Sequence, residues 1–212
     1  MLKDVALFAD VPSNYIAELE RLSVTRKYPK NTILVSEGDD TSHLFIIVTG
    51  KVSVFLSDEE GRQVILNYMG PGEYFGELSL LDNKPRSASV QTLTPCEIIS
   101  VSRAQFQQLL REDPDFALVM IAELTRKVRS LTDSVRDLAL LDVYGRVSAV
   151  LEKLSDENNR IHQPKLTHQD IGNMVGSSRE MVSRIMRQLV IGQYIEQQPG
   201  YIQINKPLPK AW

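Results

Sequence analysis

Near Arg103 the rhythm of the apolar residues changes, and that change limits what the chain can fold into. Between Thr25 and Ser102, short β-branched runs alternate with turn residues. Thr32–Val35 precedes Glu37–Asp40, Leu44–Val48 precedes Thr49–Gly50, Val52–Leu56 precedes Asp58–Gly61, and Val64–Tyr68 precedes Gly70–Gly72. Ser87–Val90 and Ile98–Val101 continue the series. Many short strands with Gly and Asp turns predict an antiparallel sandwich or barrel. A short helical pattern, Ile16, Leu19 and Leu22, comes before it. Beyond Arg103 the spacing is helical. Asp113-Pro114 suits a helix start, and Ala117, Ile121, Leu124, Val128, Leu131, Val135 and Leu138 step by four and three residues. Such a heptad seam pairs two helices, which predicts a homodimer; the alternative is a long helix lying on the β domain.

Composition bounds the function classes. With 212 residues and 42% hydrophobic content, the chain has material for one large domain or two small ones. No apolar run approaches the roughly 20 residues that cross a bilayer. Met1–Asp10 lacks a charged segment followed by an apolar one, so no signal peptide and a cytoplasmic location are expected. Cys96 is the single cysteine, which excludes an internal disulfide or a four-cysteine iron–sulfur cluster. His43, His162 and His168 show no metal-ligand spacing, no metal is expected, and Cys96 has no evident base partner, so an enzyme reading is weak. Charge is unevenly distributed. From Val143 onward there are nine Lys/Arg against six Asp/Glu, a net +3, while the rest carries 15 against 21, a net −6. A basic C-terminal part suits a polyanion, and double-stranded DNA is the partner expected.

The segment Leu166–Leu189 sharpens that expectation. Asp142 can cap a helix through Val147, Val150, Leu151 and Leu154, and Asp156–Asn159 reads as a polar loop. Thr167 followed by Asp170, and Ser177 followed by Glu180, read as two helix starts with acidic partners. Gly176 between them suits a tight turn, and Gly172 is small where the helices cross. Ile171, Val175, Val182, Ile185 and Leu189 supply a shared core, so the segment predicts a helix-turn-helix. Arg179 and Glu180 fall in the first turn of the second helix and Arg184 about 140° further around it. Arginine can bond guanine in bidentate fashion and glutamate can accept from cytosine, so this trio suits base reading; the alternative is a solvated, ion-paired face. Thr167, Gln169 and Ser178 are candidate phosphate contacts. Tyr194–Glu196 and Tyr201–Ile204 around Pro199-Gly200 predict a hairpin, the wing.

A second constellation lies in the β region, at Tyr74–Leu81 and Pro85–Val90. A glycine, Gly76, at the start of a short helical turn lets backbone N–H groups approach a phosphate. Arg86 offers charge-assisted bonds to the same anion, and Glu77 can accept from a ribose hydroxyl. The alternative is that Arg86 is a buried partner for Glu77.

Leu138–Arg146 (LALLDVYGR) and Gly176–Arg184 (GSSREMVSR) resemble the cyclic-AMP receptor protein family of bacterial transcription regulators, from about residue 25 to 204 with matching domain order. The Tyr74–Val90 string resembles the phosphate-binding cassette of cyclic-nucleotide-binding domains. The resemblance implies an α+β chain: an antiparallel β-roll (1–112), a dimerisation helix (113–138) and a winged helix-turn-helix (139–212). It implies Glu77 on the ribose and Arg86 on the cyclic phosphate, with Ser87 and the amides of Gly76 and Leu78 completing the cradle. It implies cyclic AMP as the effector, while Ser87 leaves cyclic GMP open. It further implies that Arg179, Glu180 and Arg184 read TGTGA-type half-sites, and that RNA polymerase is a partner, met near His162-Gln163-Pro164. Where the family places a Thr-Ser pair on the adenine, this chain has Leu131 and Thr132. Phosphate and sugar recognition are thus kept and adenine recognition altered, which points to another nucleotide or to a weaker ligand requirement. A haem sensor of the same fold and a dimeric interaction module without a DNA role are the other readings.

Overall fold

The computed structural model describes residues 3, 5, 8, 11–162 and 167–211. Gln163-Pro164, expected at a polymerase contact, and most of Met1–Asp10 lie outside the described residues. The chain divides into two compact units, one up to Lys127 and one from Val128 onward.

The first unit opens with α1 (Ser13–Leu22). It continues through β1 (Val24–Tyr28), β2 (Ile33–Val35), β3 (His43–Thr49), β4 (Val52–Ser57), β5 (Gln63–Met69), β6 (Tyr74–Phe75), α2 (Glu77–Asp82), β7 (Ser89–Thr92), β8 (Cys96–Ser102) and α3 (Arg103–Glu112) to α4 (Pro114–Leu140), which runs across the boundary. Two four-stranded antiparallel sheets, β1-β8-β3-β6 and β2-β7-β4-β5, form the β-roll. The central strands β3 and β8 are apolar on both faces because each face has its own core. Ile47 and Ile98 join Val35, Val52, Phe75 and Val90 in a cluster drawn from both sheets. Leu44, Ile46, Ile99 and Val101 join Ile16, Leu19, Phe106, Phe116 and Met120 from the helices. The sequence reading missed β1, whose residues are nearly all exposed, and the two-residue β6. It also placed β7 two residues early, because the chain up to Ala88 forms a loop around Arg86.

Ser102 starts α3 through a capping box with Gln105. Asp113 starts α4, its Oδ1 accepting from the Phe116 amide at 3.1 Å. Phe116 and Met120 bury the N-terminal turns of α4 in the core. Beyond them Ile121, Val128, Leu131, Val135 and Leu138 remain 56–64% exposed. The stripe is thus an uncovered seam in the single chain, while the first turns do lie on the β domain.

In the second unit the rest of α4 is followed by α5 (Val143–Leu154), β9 (Arg160–His162), α6 (His168–Val175), α7 (Arg179–Ile191), β10 (Ile195–Gln198) and β11 (Tyr201–Ile204). Asp142 caps α5 by accepting from the Gly145 amide at 2.8 Å. The expected hairpin is present as β10 and β11, and β9 pairs with β11 to make a three-stranded sheet. Strand β9 escaped the sequence reading because Ile161 is its one apolar residue. Val147, Leu151, Ile171, Val175, Val182, Ile185, Met186, Leu189, Ile195 and Ile202 close a single core around these elements. No helix among the described residues is long and apolar enough to cross a membrane. No group of three His, Cys, Asp or Glu among them is arranged to hold a metal ion.

Candidate functional site

Arg86 is the centre of the first site. Its backbone is pinned to the β2–β3 connection: its N–H donates to the Asp39 carbonyl and its carbonyl accepts from Gly38, both at 2.9 Å. Its side chain turns inward and is only 4% exposed. Nε donates to Thr41 Oγ1 (3.0 Å), Nη1 to the Gly76 carbonyl and to Ser79 Oγ (2.8 Å each), and Nη2 to the His43 carbonyl (2.7 Å). The Phe45 ring lies 5.6 Å from the guanidinium carbon. Every one of these acceptors is neutral. Burial pushes the Arg86 pKa down, and the nearby Glu77 charge pulls it back up. A buried cation whose protein contacts are all neutral gives an anion the role of counter-charge.

Glu77 does not fill it. The alternative in which Arg86 and Glu77 pair is corrected here: Glu77, itself 4% exposed, accepts at Oε1 from Lys127 Nζ of α4 at 2.7 Å. The same ammonium sits 4.8 Å from the centre of the Tyr74 ring. The Tyr74 hydroxyl is buried with no hydrogen-bond partner among the described residues, and burial pushes its pKa well above the ordinary range. Lys127 was not found from sequence, since it lies 50 residues from Glu77 with no pattern linking them, and Tyr74 stood in the cassette string without a role of its own.

Gly76 is required twice over. Its φ of +90° is the left-handed region, and a Cβ there would lie 2.4 Å from Arg86 Nη1 and 2.8 Å from the His43 carbonyl oxygen. Behind it, Arg103 of α3 holds the end of α2, donating from Nη2 to the Ser79 carbonyl at 2.9 Å and from Nη1 to Asn83 Oδ1. Leu78 and Ser87 are exposed beside this cassette. Thr132 lies on the part of α4 in the second unit, exposed, with its hydroxyl donating to the Val128 carbonyl at 3.0 Å.

The second site is built from α6 and α7. Thr167 and Asp170 form the full capping box. Gly176, at φ +63°, ends α6, and the amides of Gly176 and Ser177 both return to the Gly172 carbonyl. That corrects the second cap: Ser177 belongs to the end of α6, and Ser178 starts α7, its Oγ accepting from the Met181 amide at 3.2 Å. A bond not foreseen joins the two helices, His168 Nδ1 to Ser183 Oγ at 2.8 Å. Arg179, Glu180 and Arg184 are all exposed, and among the described residues none forms an ion pair; Arg184 Nη2 contacts Met181 Sδ at 3.1 Å. Among the described residues, the face is therefore solvated but not ion-paired. Arg187, exposed on the same helix, adds a cation that the sequence reading left out. Gln169 is exposed and donates to Asn173 Oδ1 at 2.8 Å.

Gly172 fixes the approach of the turn to α6. A Cβ there would lie 2.8 Å from the Ser177 carbonyl oxygen, a backbone atom with little room to yield. Gly172→Ala is expected to cost about 1–2 kcal/mol, a drop of several degrees in Tm, despite alanine's better helix propensity. Thermal unfolding followed by circular dichroism checks this; an unchanged Tm would mean that the turn gives way freely.

Comparison with known proteins matches both halves. Residues 25–113 match the cyclic nucleotide-binding domain family, and residues 145–207 the Crp-like helix-turn-helix domain family. The cAMP-activated global transcriptional regulator CRP of Haemophilus influenzae is 38% identical over 169 residues, 77% of this chain and 75% of that protein. Vfr of Pseudomonas aeruginosa, also a cAMP-activated global transcriptional regulator, is 35% identical over 173 residues, covering 77% and 81%. Among solved structures, the c-di-GMP responsive global regulator CLP of Xanthomonas campestris superposes with a TM-score of 0.78 at 25% identity, covering 92% of this chain and all of that one.

A cyclic-nucleotide-binding β-roll joined by a long helix to a winged helix-turn-helix defines a DNA-binding transcription regulator, not an enzyme. Within that class the chain belongs to the CRP family, the group that includes the two regulators of Haemophilus and Pseudomonas.

Proposed function

We propose that the protein is a homodimeric regulator that binds cyclic AMP and, in that state, inverted TGTGA-type half-sites. The observation that carries this reading is the buried Arg86 guanidinium, surrounded by neutral acceptors. The cyclic phosphate supplies its counter-charge. The ribose hydroxyl goes to Glu77, and Ser87 with the Gly76 and Leu78 amides completes the cradle. In this reading residues 1–112 sense the nucleotide, 113–138 pair two copies and 139–212 read DNA. The exposed stripe of Ile121, Val128, Leu131, Val135 and Leu138 supports the pairing, with Leu124 half-buried beside it. Arg179, Glu180 and Arg184 read base edges, while Thr167, Gln169 and Ser178 meet phosphates. RNA polymerase is the downstream partner, and the site of action is the cytoplasm.

Leu131 alters the part of the site that faces the base. It offers no hydrogen bond, and the neighbouring Thr132 hydroxyl is turned onto its own helix. Fluorescence anisotropy on a duplex with two inverted TGTGA half-sites, at fixed salt, tests the proposal with no ligand, cyclic AMP, cyclic GMP or c-di-GMP. Tightening with cyclic AMP is expected. A response confined to another nucleotide would retain the cassette and change the effector, and equal affinity in all four would remove the effector role. A ligand shifts this equilibrium only by its differential affinity for the two states.

A further inference from the structure

The α4–α5 joint and the turn before the recognition helix are held by one side chain. Arg146, half-buried in the first turns of α5, donates from Nη1 to the Leu141 carbonyl at 3.0 Å and from Nε to the Val175 carbonyl at 2.9 Å. Leu141 is the residue between the end of α4 and the Asp142 cap of α5. Val175 is the last residue of α6, immediately before the Gly176 turn that leads to Arg179. Both carbonyls belong to helix C-termini, where backbone acceptors lack helical partners and the dipole favours a cation. The guanidinium is a rigid plane, so two donors of that plane fix the two carbonyls relative to each other.

The surroundings leave this clamp little slack. Beside Arg146, a Cβ on Gly145 would lie 2.2 Å from the Lys210 carbonyl oxygen. Below it Val147 and Leu151 are fully buried with Ile171 and Val175. The Gly176 turn in turn closes on Gly172. A shift at Leu141 therefore reaches the start of α7 through one guanidinium and two hydrogen bonds.

We propose that Arg146 is a positioning residue: it sets the recognition turn according to the α4–α5 joint, and so passes the state of α4 to the DNA-reading surface. This rests on the DNA-reading function proposed above. Lysine at this position keeps the charge but has no fork, so it can serve one carbonyl well, not both.

The test uses the full chain and Arg146→Lys, with Arg146→Gln as a second variant. Affinity for the TGTGA duplex and for random DNA is measured with and without cyclic AMP, beside Tm and cyclic AMP affinity. Hydrogen exchange over residues 172–180 is followed in the same samples. For Arg146→Lys the expected result is a specific-to-random affinity ratio lowered at least fivefold, with random-DNA and cyclic AMP affinity within twofold of the parent. The nucleotide-induced gain in specific affinity shrinks with it, and exchange over 172–180 no longer responds to the nucleotide. A parent-like ratio in Arg146→Lys overturns the proposal. So does a loss that falls equally on specific and random DNA, which marks a merely structural role. If the parent responds to no nucleotide but still prefers TGTGA, the effector reading fails alone and the ratio still decides Arg146. If the parent shows no preference, the DNA-reading function fails and this proposal with it.

Discussion

Arg86→Gln weakens nucleotide capture while the chain stays folded. The expected loss is about 10- to 150-fold in cyclic AMP affinity, since four of the five guanidinium N–H groups are already donated within the protein and the one left to a phosphate makes a charge-assisted bond of about 1.5–3 kcal/mol. The geometry explains why the effect is that large. The guanidinium is already oriented by Thr41, the Gly76 and His43 carbonyls and Ser79, so no rotamer freedom is lost when the anion arrives. Its charge has no carboxylate within ion-pair distance among the described residues, because Glu77 is held by Lys127. The phosphate thus meets a cation in a site of low dielectric rather than an exchangeable surface ion pair. The substitution also frees four acceptors, which costs about 1–3 kcal/mol of stability, partly offset by removing a buried charge. Calorimetric titration with cyclic AMP, with Tm recorded on the ligand-free variant, separates the two effects. Arg86→Lys serves as a second probe, since it keeps the charge without the planar fork. Affinity within tenfold of the parent in Arg86→Gln would mean that the phosphate is bound elsewhere.

What the sequence made visible was local. Thr167 with Asp170, Asp142 before α5 and Asp113-Pro114 before α4 are signals carried within four residues, and each holds in three dimensions. The heptad seam is equally local, and so is the glycine at the start of α2. Contacts across distant segments were hidden. Glu77 meets Lys127 and Arg86 meets Thr41 because the β-roll brings together residues 45 to 50 positions apart. Nothing in residue type or spacing selects those partners over others. The misplacement of the α7 cap has a different cause. Ser177 and Ser178 are adjacent serines, and the choice between them is made by the Ser177 amide, which closes α6 onto Gly172. The bond from His168 to Ser183 was hidden because Ser183 lies on the other helix. The missing strand β9 is held by pairing to β11 rather than by any apolar pattern of its own.

Arg179→Ala is expected to cost about 1–3 kcal/mol on the specific duplex, roughly 5- to 150-fold, and to relax discrimination at one base pair. Arg179 is the first residue of α7, and in a helix-turn-helix the N-terminal residues of the second helix are the ones that contact base edges. Its backbone has little freedom: Ser178 caps the helix, Val182, Ile185, Met186 and Leu189 anchor its inner face, and Ser183 is tied to His168. The side chain is exposed and makes no ion pair among the described residues, so binding a guanine edge breaks no internal contact. Glu180 beside it is equally free, which leaves its carboxylate available to a cytosine amino group. Gln169→Ala provides the contrast, because a phosphate contact weakens every sequence alike and leaves discrimination intact. Anisotropy titrations on the parent half-site, on single base-pair variants of it and on random DNA, all at one salt concentration, separate these cases. A loss for Arg179→Ala that is equal on all duplexes would make this residue a backbone contact, and base reading would then rest on Glu180 and Arg184. A loss concentrated on the parent half-site and absent from one of its variants locates the base pair that Arg179 reads.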